Sequence, residues 1–166
     1  MTVSLNVTAI NDPPLAVADS YTRSSYKEIN GKNINGSATI NGESCPVLLT
    51  NVNGDVDVFN EYKYVILKGT TGSIKVRGNS SPIEISAIKN LPSSAKIDLY
   101  TTYKPITLEL PADANVQIAA KSKYGNIKSD FPVYLAGDNI ATYDQDKGGV
   151  SINLETTADI TITKSR

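Results

Sequence analysis

The sequence predicts an all-β protein built as a short β-solenoid, with about two strands in each repeat of roughly 20 residues. Three observations lead to this prediction. Apolar and polar residues alternate with a period of two in many short segments. Glycines and prolines, which form turns, separate those segments. The segments also recur at similar intervals along the chain.

The alternating segments share a pattern in which a polar residue stands between two apolar ones, and most begin with a β-branched residue. Such residues suit a pleated, half-buried surface. The segments are residues 56–58, 74–76, 83–85, 97–99, 106–108, 116–118, 150–152 and 160–162. Residues 59–67, rich in Tyr, Val and Ile, are predicted as a further strand.

The spacing of the segments predicts how they stack. One set advances in steps of 18, 23 and 19 residues, through Val56, Ile74, Ile97 and Val116. The interleaved set advances in steps of 23, 21 and 23, through Ile83, Ile106, Ile127 and Val150. A single repeat cannot bury its apolar side chains, so stacking should place Ile74 against Ile97 and Ile83 against Ile106. A β-sandwich is the alternative, because it also has short strands every 8–12 residues or so.

The ends of the chain depart from the repeat. Residues 2–10 alternate as a nine-residue strand, and Pro13 and Pro14 follow it. We therefore divide the chain into residues 1–33, an N-terminal strand with a linker or cap, and residues 34–166, the repeat domain. Near the other end, residues 133–135 are a candidate extra strand and residues 137–147 a long polar loop.

Composition argues against several classes of function. The 166 residues carry 16 Lys plus Arg and 17 Asp plus Glu, with no basic cluster, so we expect no nucleic-acid partner. No histidine is present, which removes the usual general base and the imidazole metal ligands. We therefore predict a domain that is not an enzyme and that needs no cofactor or metal.

Two further features concern redox state and membranes. Cys45 is the single cysteine, so no intrachain disulfide forms, and its apolar neighbours favour a buried position. The sequence has no apolar run of about 18 residues, so we expect no membrane insertion. Its first residues have neither the basic nor the apolar region of a signal peptide.

Several repeat segments carry a family resemblance: residues 54–58, 72–76, 106–114, 123–132 and 148–154. On these motifs, residues 36–166 resemble the bacterial adhesin-type β-solenoid domains, a group related to the GIN-type adhesin head domains. The resemblance implies a stacked β-fold, an extracellular location on the bacterial envelope and no established catalytic residues. The family pattern has a glycine where this chain has Lys104, just before Pro105.

Residues 7–21 are similar to the junctions between tandem cadherin-like or immunoglobulin-like repeats of bacterial surface proteins. In calcium-dependent cadherins, junction carboxylates bind Ca²⁺. Asp12 and Asp19 are therefore the candidate calcium ligands. Because Ca²⁺ takes about 6–8 oxygen ligands, two carboxylates are too few, and a linker is the favoured interpretation.

Three function classes follow. The first is a surface structural protein that assembles with itself, because open sheet edges invite strand addition. The N-terminal strand would pair with a neighbouring subunit, through the backbone of the segment that carries Val3, Leu5, Val7 and Ala9. The alternative is that this strand caps its own sheet or belongs to a preceding repeat.

The second class is an adhesin head that binds a surface glycan or protein. Tyrosine suits sites with one apolar and one wet side. The chain has nine tyrosines against two phenylalanines. The candidates in the repeat region are Tyr62, Tyr64, Tyr100, Tyr103 and Tyr124. The same property of tyrosine also suits the corners of a repeat without any ligand.

The third and most distant class is a carboxylate-based glycan-active enzyme, because glycosidases need only two carboxylates. Asp55 and Asp57 would face the same way, but Lys75 should lie beside Asp57 and be followed by Asp98. This order predicts a solvated ladder of alternating charges instead. The full set of candidates is Asp55, Asp57, Glu84, Asp98, Glu109 and Asp130.

Overall fold

The computed structural model describes residues 4–8, 28–137, 139–144 and 149–166. These residues form strands and turns but no helix, so the part of the chain that is described holds no helix able to cross a membrane. The predicted all-β class is confirmed. The strands are β1 Ser4–Thr8, β2 Ile29–Asn35, β3 Ser37–Glu43, β4 Val47–Asn53, β5 Val56–Glu61, β6 Val65–Thr70, β7 Ile74–Asn79, β8 Ile83–Ser86, β9 Lys96–Tyr100, β10 Ile106–Leu110, β11 Val116–Ser122, β12 Ile127–Ser129, β13 Tyr134–Leu135, β14 Ile140–Asp144, β15 Val150–Thr156 and β16 Ile160–Lys164.

The strands form two sheets, and most neighbouring strands are parallel. Sheet A has the order β1-β3-β5-β7-β9-β15-β11-β14-β13, and sheet B has the order β12-β16-β10-β8-β6-β4-β2. From β2 to β12 the chain alternates between the two sheets, so consecutive strands lie in different sheets. Among the described strands, antiparallel pairing occurs at the two ends of sheet A, where β1, β13 and β14 lie.

From β2 to β10, strands paired in parallel are one repeat apart in sequence. Val47 pairs with Val65, and Asn51 donates a hydrogen bond to Asn33 across a separation of 18 residues. Later in the chain the repeat lengthens to 23 residues, as for Asn79 and Thr102. The predicted boundary between residues 33 and 34 falls inside β2, because this strand already pairs with β4 from Ile29 onward.

The core lies between the two sheets and consists of inward aliphatic side chains at alternate strand positions. Ile74 pairs with Ile97 and Ile83 pairs with Ile106, as predicted, and all four side chains are at most 2% exposed. Burial of one such side chain stabilises the fold by about 1.5–3 kcal/mol. Cys45 is also buried, as predicted.

The predicted order of the later strands is wrong. Val116 does not follow Ile97 directly, because β15 lies between β9 and β11. Likewise Ile127 does not follow Ile106, because β16 lies between β10 and β12. Val150 belongs to sheet A, where it pairs with Val116, and not to the ladder that contains Ile83. The last strand pair is therefore inserted between two earlier ones.

Three smaller predictions also change. The strand expected over residues 59–67 is divided between β5 and β6, because the chain turns between the sheets at Tyr62. The extra strand at residues 133–135 shortens to β13. The polar loop expected over residues 137–147 contains β14, in which the fully buried Ala141 packs on the core.

Buried polar side chains line the corner where the chain leaves sheet A. Thr101, at 0% exposure, donates from Oγ1 to the carbonyl of Ser81 at 2.8 Å and accepts from the Ser81 amide at 3.3 Å. Asn60 donates to the carbonyl of Lys63 at 2.8 Å, and Thr156 donates to that of Lys104 at 2.6 Å. These bonds satisfy backbone groups that the turn removes from the ladder.

Thr101→Val should destabilise the domain by about 1–3 kcal/mol, because it keeps the shape but removes both bonds to the buried Ser81. Urea unfolding followed by circular dichroism measures this. The matched control is Thr107→Val on the outer face of β10, which should change stability by less than about 0.5 kcal/mol. Equal effects of the two substitutions would contradict a structural role for the corner bonds.

Candidate functional site

The outer face of sheet A presents two rows of side chains that run across the strands. Neighbours in a row lie on adjacent strands, about 4.8 Å apart. The first row is Asp57, Lys75, Asp98, Asn153, Ala119 and Thr142. The second row is Phe59, Arg77, Tyr100, Glu155, Lys121 and Ile140.

A groove of about 470 Å³ lies across these rows. We call it the sheet-A groove. Ala119, the outward residue of β11, contributes to the hollow because its side chain is a single methyl group. Its main lining side chains are Lys75, Arg77, Asp98, Tyr100, Ala119, Lys121, Ile140, Thr142, Asn153 and Glu155.

A second depression of about 280 Å³ adjoins the groove on the same face. It lies over β3, β5, β7 and β9, and it shares Lys75 and Asp98 with the groove. Thr39 and Lys96 are among the other residues that line it. The two depressions together form one elongated surface that runs across the strands.

Five charged side chains of this surface form ion pairs at modest distances. Asp57 lies 3.8 Å from both Lys75 and Arg77, and the Lys121–Glu155 pair is also 3.8 Å apart. These pairs confirm the predicted position of Lys75 beside Asp57. The paired groups are about half exposed, and such surface pairs contribute only about 0–1 kcal/mol. A ligand could therefore replace them at little cost.

Several of the carboxylates weighed for glycan chemistry have other contacts. Asp98 accepts a 2.7 Å hydrogen bond from the Asn153 amide, and Asp55 accepts one of 2.7 Å from the Ser73 backbone. Asp130 accepts from the Lys164 backbone at 3.1 Å. In the described residues, no group of three or more acidic or cysteine side chains is placed to hold a metal ion. Asp12 and Asp19 lie outside the described residues.

Of the five tyrosine candidates, Tyr100 is the one that lines the sheet-A groove, and it is 44% exposed. Tyr62 and Tyr103 lie at the corners after β5 and β9, where their backbone φ angles are 67° and 60°. Ser44 and Ser80 hold the same left-handed conformation at the equivalent corners. Corner geometry therefore accounts for the positions of Tyr62 and Tyr103.

Tyr64 occupies a turn position that proline takes in other repeats. Its carbonyl accepts the first backbone hydrogen bond of β4, from Val47 at 2.9 Å. The carbonyls of Pro46, Pro82 and Pro105 do the same for the strands that neighbour them. Tyr64 therefore belongs to a column of turn residues and lies apart from the sheet-A groove.

Tyr103 and Tyr124 lie near a common cation, Lys123. The Lys123 ammonium is 5.1 Å from the centre of the Tyr124 ring. A hydrogen bond with Tyr124 and the charge of its phenolate raise the pKa of Lys123, with a smaller contribution from Tyr103. Both tyrosines are highly exposed, at 72% and 75%. They form a small aromatic surface at the corner, separate from the groove.

The sequence did not point to Arg77, Ala119 or Asn153 as groove residues. All three are ordinary residue types for an exposed strand position, so the sequence gave no signal for them.

The assembly candidates are only partly covered by the structure. Leu5 pairs with Ile40 and Val7 pairs with Ala38, so the backbone of β1 is antiparallel to β3 of the same chain. Val3 and Ala9 lie outside the described residues.

Comparison with known proteins gives no match to a family model, a curated protein or a solved structure.

Tyr124→Phe should lower the pKa of Lys123 toward its ordinary value, because the ring is retained but the phenol that bonds the ammonium is removed. Heteronuclear NMR titration of the lysine side chains measures this. Tyr134→Phe, at another exposed tyrosine, is the control and should leave the Lys123 titration unchanged. An identical Lys123 titration in wild type and Tyr124→Phe would contradict the assigned hydrogen bond.

Proposed function

We propose that the chain is a short β-solenoid domain of a bacterial cell surface, that it works by binding and not by catalysis, and that its ligand is a saccharide held in the sheet-A groove. The observation that carries the proposal is the combination of a small apolar floor, an aromatic side chain and a polar rim in one groove. Ala119 and Tyr100 supply the apolar part. Arg77, Asp98 and Glu155 supply the rim.

This arrangement suits saccharide chemistry. A sugar ring has an apolar C–H face and a polar edge of hydroxyl groups. Tyrosine offers a flat apolar ring for the first, together with a hydroxyl group that stays in contact with water. Convergent polar groups around an apolar floor are what orient small ligands in binding sites. The exposed ion pairs of the rim provide both donors and acceptors for the hydroxyl groups.

The shape of the surface favours an elongated saccharide. The groove and the adjoining depression share Lys75 and Asp98 and extend across the strands. A linear polymer would lie perpendicular to the strands and meet a new set of side chains about every 4.8 Å. The repeat of strands supports the solenoid part of the proposal, since one repeat adds one strand to each sheet along this surface.

Filling the sheet-A groove should abolish saccharide binding without unfolding the protein. Ala119→Tyr places a bulky ring at an exposed strand position, where tyrosine is well tolerated. Tyr100→Ala should weaken binding roughly tenfold or more. An array of neutral and anionic oligosaccharides identifies the ligand, and calorimetry then measures the affinity of each variant.

Two controls make the result specific. Thr107→Tyr adds the same ring on the outer face of sheet B, and Tyr103→Ala removes a tyrosine from a corner; both should bind as wild type does. Loss of binding in Tyr103→Ala but not in Tyr100→Ala would move the site to the corner tyrosines. Release of shorter saccharides from the array ligand would favour the glycan-active enzyme instead.

A second candidate function is self-assembly through the N-terminal strand. The observation that favours it is the position of β1. β1 lies at the edge of the parallel ladder β3-β5-β7-β9 and is itself antiparallel to β3. β1 ends at Thr8 and β2 begins at Ile29. A connection of this length allows β1 to reach either its own β3 or the β3 of a neighbouring copy. Exchange of β1 between copies would join them by strand addition.

Deletion of residues 1–27 should abolish filaments or dimers formed by the full chain, as seen by electron microscopy and light scattering. Leu5→Pro and Asn6→Pro test the backbone pairing itself. Adjacent residues alternate in their bonding, so one of the two prolines removes a ladder hydrogen bond. A full chain that is monomeric at high concentration would rule out this second candidate.

A further inference from the structure

The strand pair β15/β16 occupies a slot within a stretch of chain that precedes it. Two strands of sheet A, β9 and β11, are separated by β15. Two strands of sheet B, β10 and β12, are separated by β16. Without β15 and β16, each of these pairs would be consecutive in its sheet. Residues 111–115 connect β10 to β11 and leave a gap the width of one strand in each sheet. β15 fills the gap in sheet A, and β16 fills the gap in sheet B. We call the two gaps together the insertion slot.

The slot offers paired strand edges on both sides. In sheet A, Ile152 pairs with Ile97 of β9, and Val150 pairs with Val116 of β11. In sheet B, β16 pairs in parallel with β10 and with β12. An empty slot would leave two unpaired edges in each sheet, which are templates for strand addition. The inward side chains that close the core there are at most 3% exposed: Val150, Ile152, Leu154, Ile160 and Ile162.

Side-chain hydrogen bonds fix the register of the segment in the slot. Asn153 donates to Asp98 at 2.7 Å on the outer face. Asp159 accepts from the Asn126 backbone at 2.8 Å, and Thr157 accepts from the Tyr103 backbone at 2.8 Å. A shift by one residue would break these bonds and turn the apolar side chains outward. The slot therefore recognises this particular segment.

We infer that the insertion slot is a binding site for the segment 149–164 and that a second copy of this chain is the partner that it takes. Nothing in the slot distinguishes a segment of its own chain from the identical segment of another. When chains fold together at high concentration, the segment of one copy inserts into the slot of the next. Reciprocal exchange closes a dimer, and one-way exchange gives an open fibre.

This inference does not depend on saccharide binding, although it touches the same surface. The inserted strand pair supplies Asn153 and Glu155 to the sheet-A groove. In an exchanged assembly each groove would therefore be built from two copies. The β1 exchange of the second candidate function involves an end of sheet A, whereas β15 lies in its interior, so the two routes of assembly are separable.

Cysteine crosslinking between two full-length chains tests the inference. One chain carries Asp98→Cys and the other Asn153→Cys, both with Cys45→Ala. These positions are directly paired on β9 and β15, and the Cα separation of paired strands permits a disulfide. The two chains are unfolded, mixed and refolded together at high concentration. We expect a disulfide-linked heterodimer on a non-reducing gel.

Three controls decide the outcome. A single chain with both substitutions should form the intrachain disulfide, which verifies the geometry, and should then stay monomeric because its segment is locked in place. Chains with Asp57→Cys and Lys75→Cys test a pairing between strands that follow the sequence order, and should give no heterodimer above background. Circular dichroism confirms that each variant folds. The inference is overturned if the double variant forms its disulfide but the mixed 98/153 chains give no heterodimer, or no more than the 57/75 chains.

Discussion

In-register pairing of parallel strands is the constraint on which the rest of the structure depends. Each inward side chain lies against its counterpart on the next strand, as Val58, Val76 and Leu99 do. Side chains alternate between faces, so a slip of one residue would expose the whole apolar set. The same stacking brings the turns into contact. A Cβ on Gly72 would lie 2.5 Å from the backbone of Gly54, so this turn has room only for glycine.

The pairing of the middle strands could be predicted from the sequence because it depends on local pattern and spacing. Ile74 and Ile97, for example, stand at the same position of successive repeats. The place of the last strand pair could not be predicted in this way. Val150 and Ile160 begin segments with the same alternation as the others, and what positions them is contact with distant backbone, such as the Thr156 bond to the carbonyl of Lys104. Such contacts exist only once the fold has formed.

The candidate site shows the same division between local and distant information. Tyrosine content pointed to five residues, but only the fold separates Tyr100 in the groove from Tyr62 and Tyr64 at the turns. The conformation of a corner residue depends on the turn between the sheets, which residue type alone does not reveal. The remaining groove residues come from strands far apart in sequence. Ala119 contributes to the groove because its small side chain leaves space between larger neighbours. The sequence alone does not show which neighbours those are.

The two faces of sheet A have separate physical roles that meet at the inserted strand pair. Inward positions are constrained by packing, whereas outward positions are free to vary, which is why a binding surface can develop there. β15 belongs to both: Ile152 closes the core, and Asn153 and Glu155 complete the groove. Its pairing with β9 also joins residues far apart in sequence, and such contacts form slowly in folding. A ligand that contacts Asn153 or Glu155 binds only the filled slot. By mass action it therefore stabilises the filled state, whichever copy of the chain provides the strands.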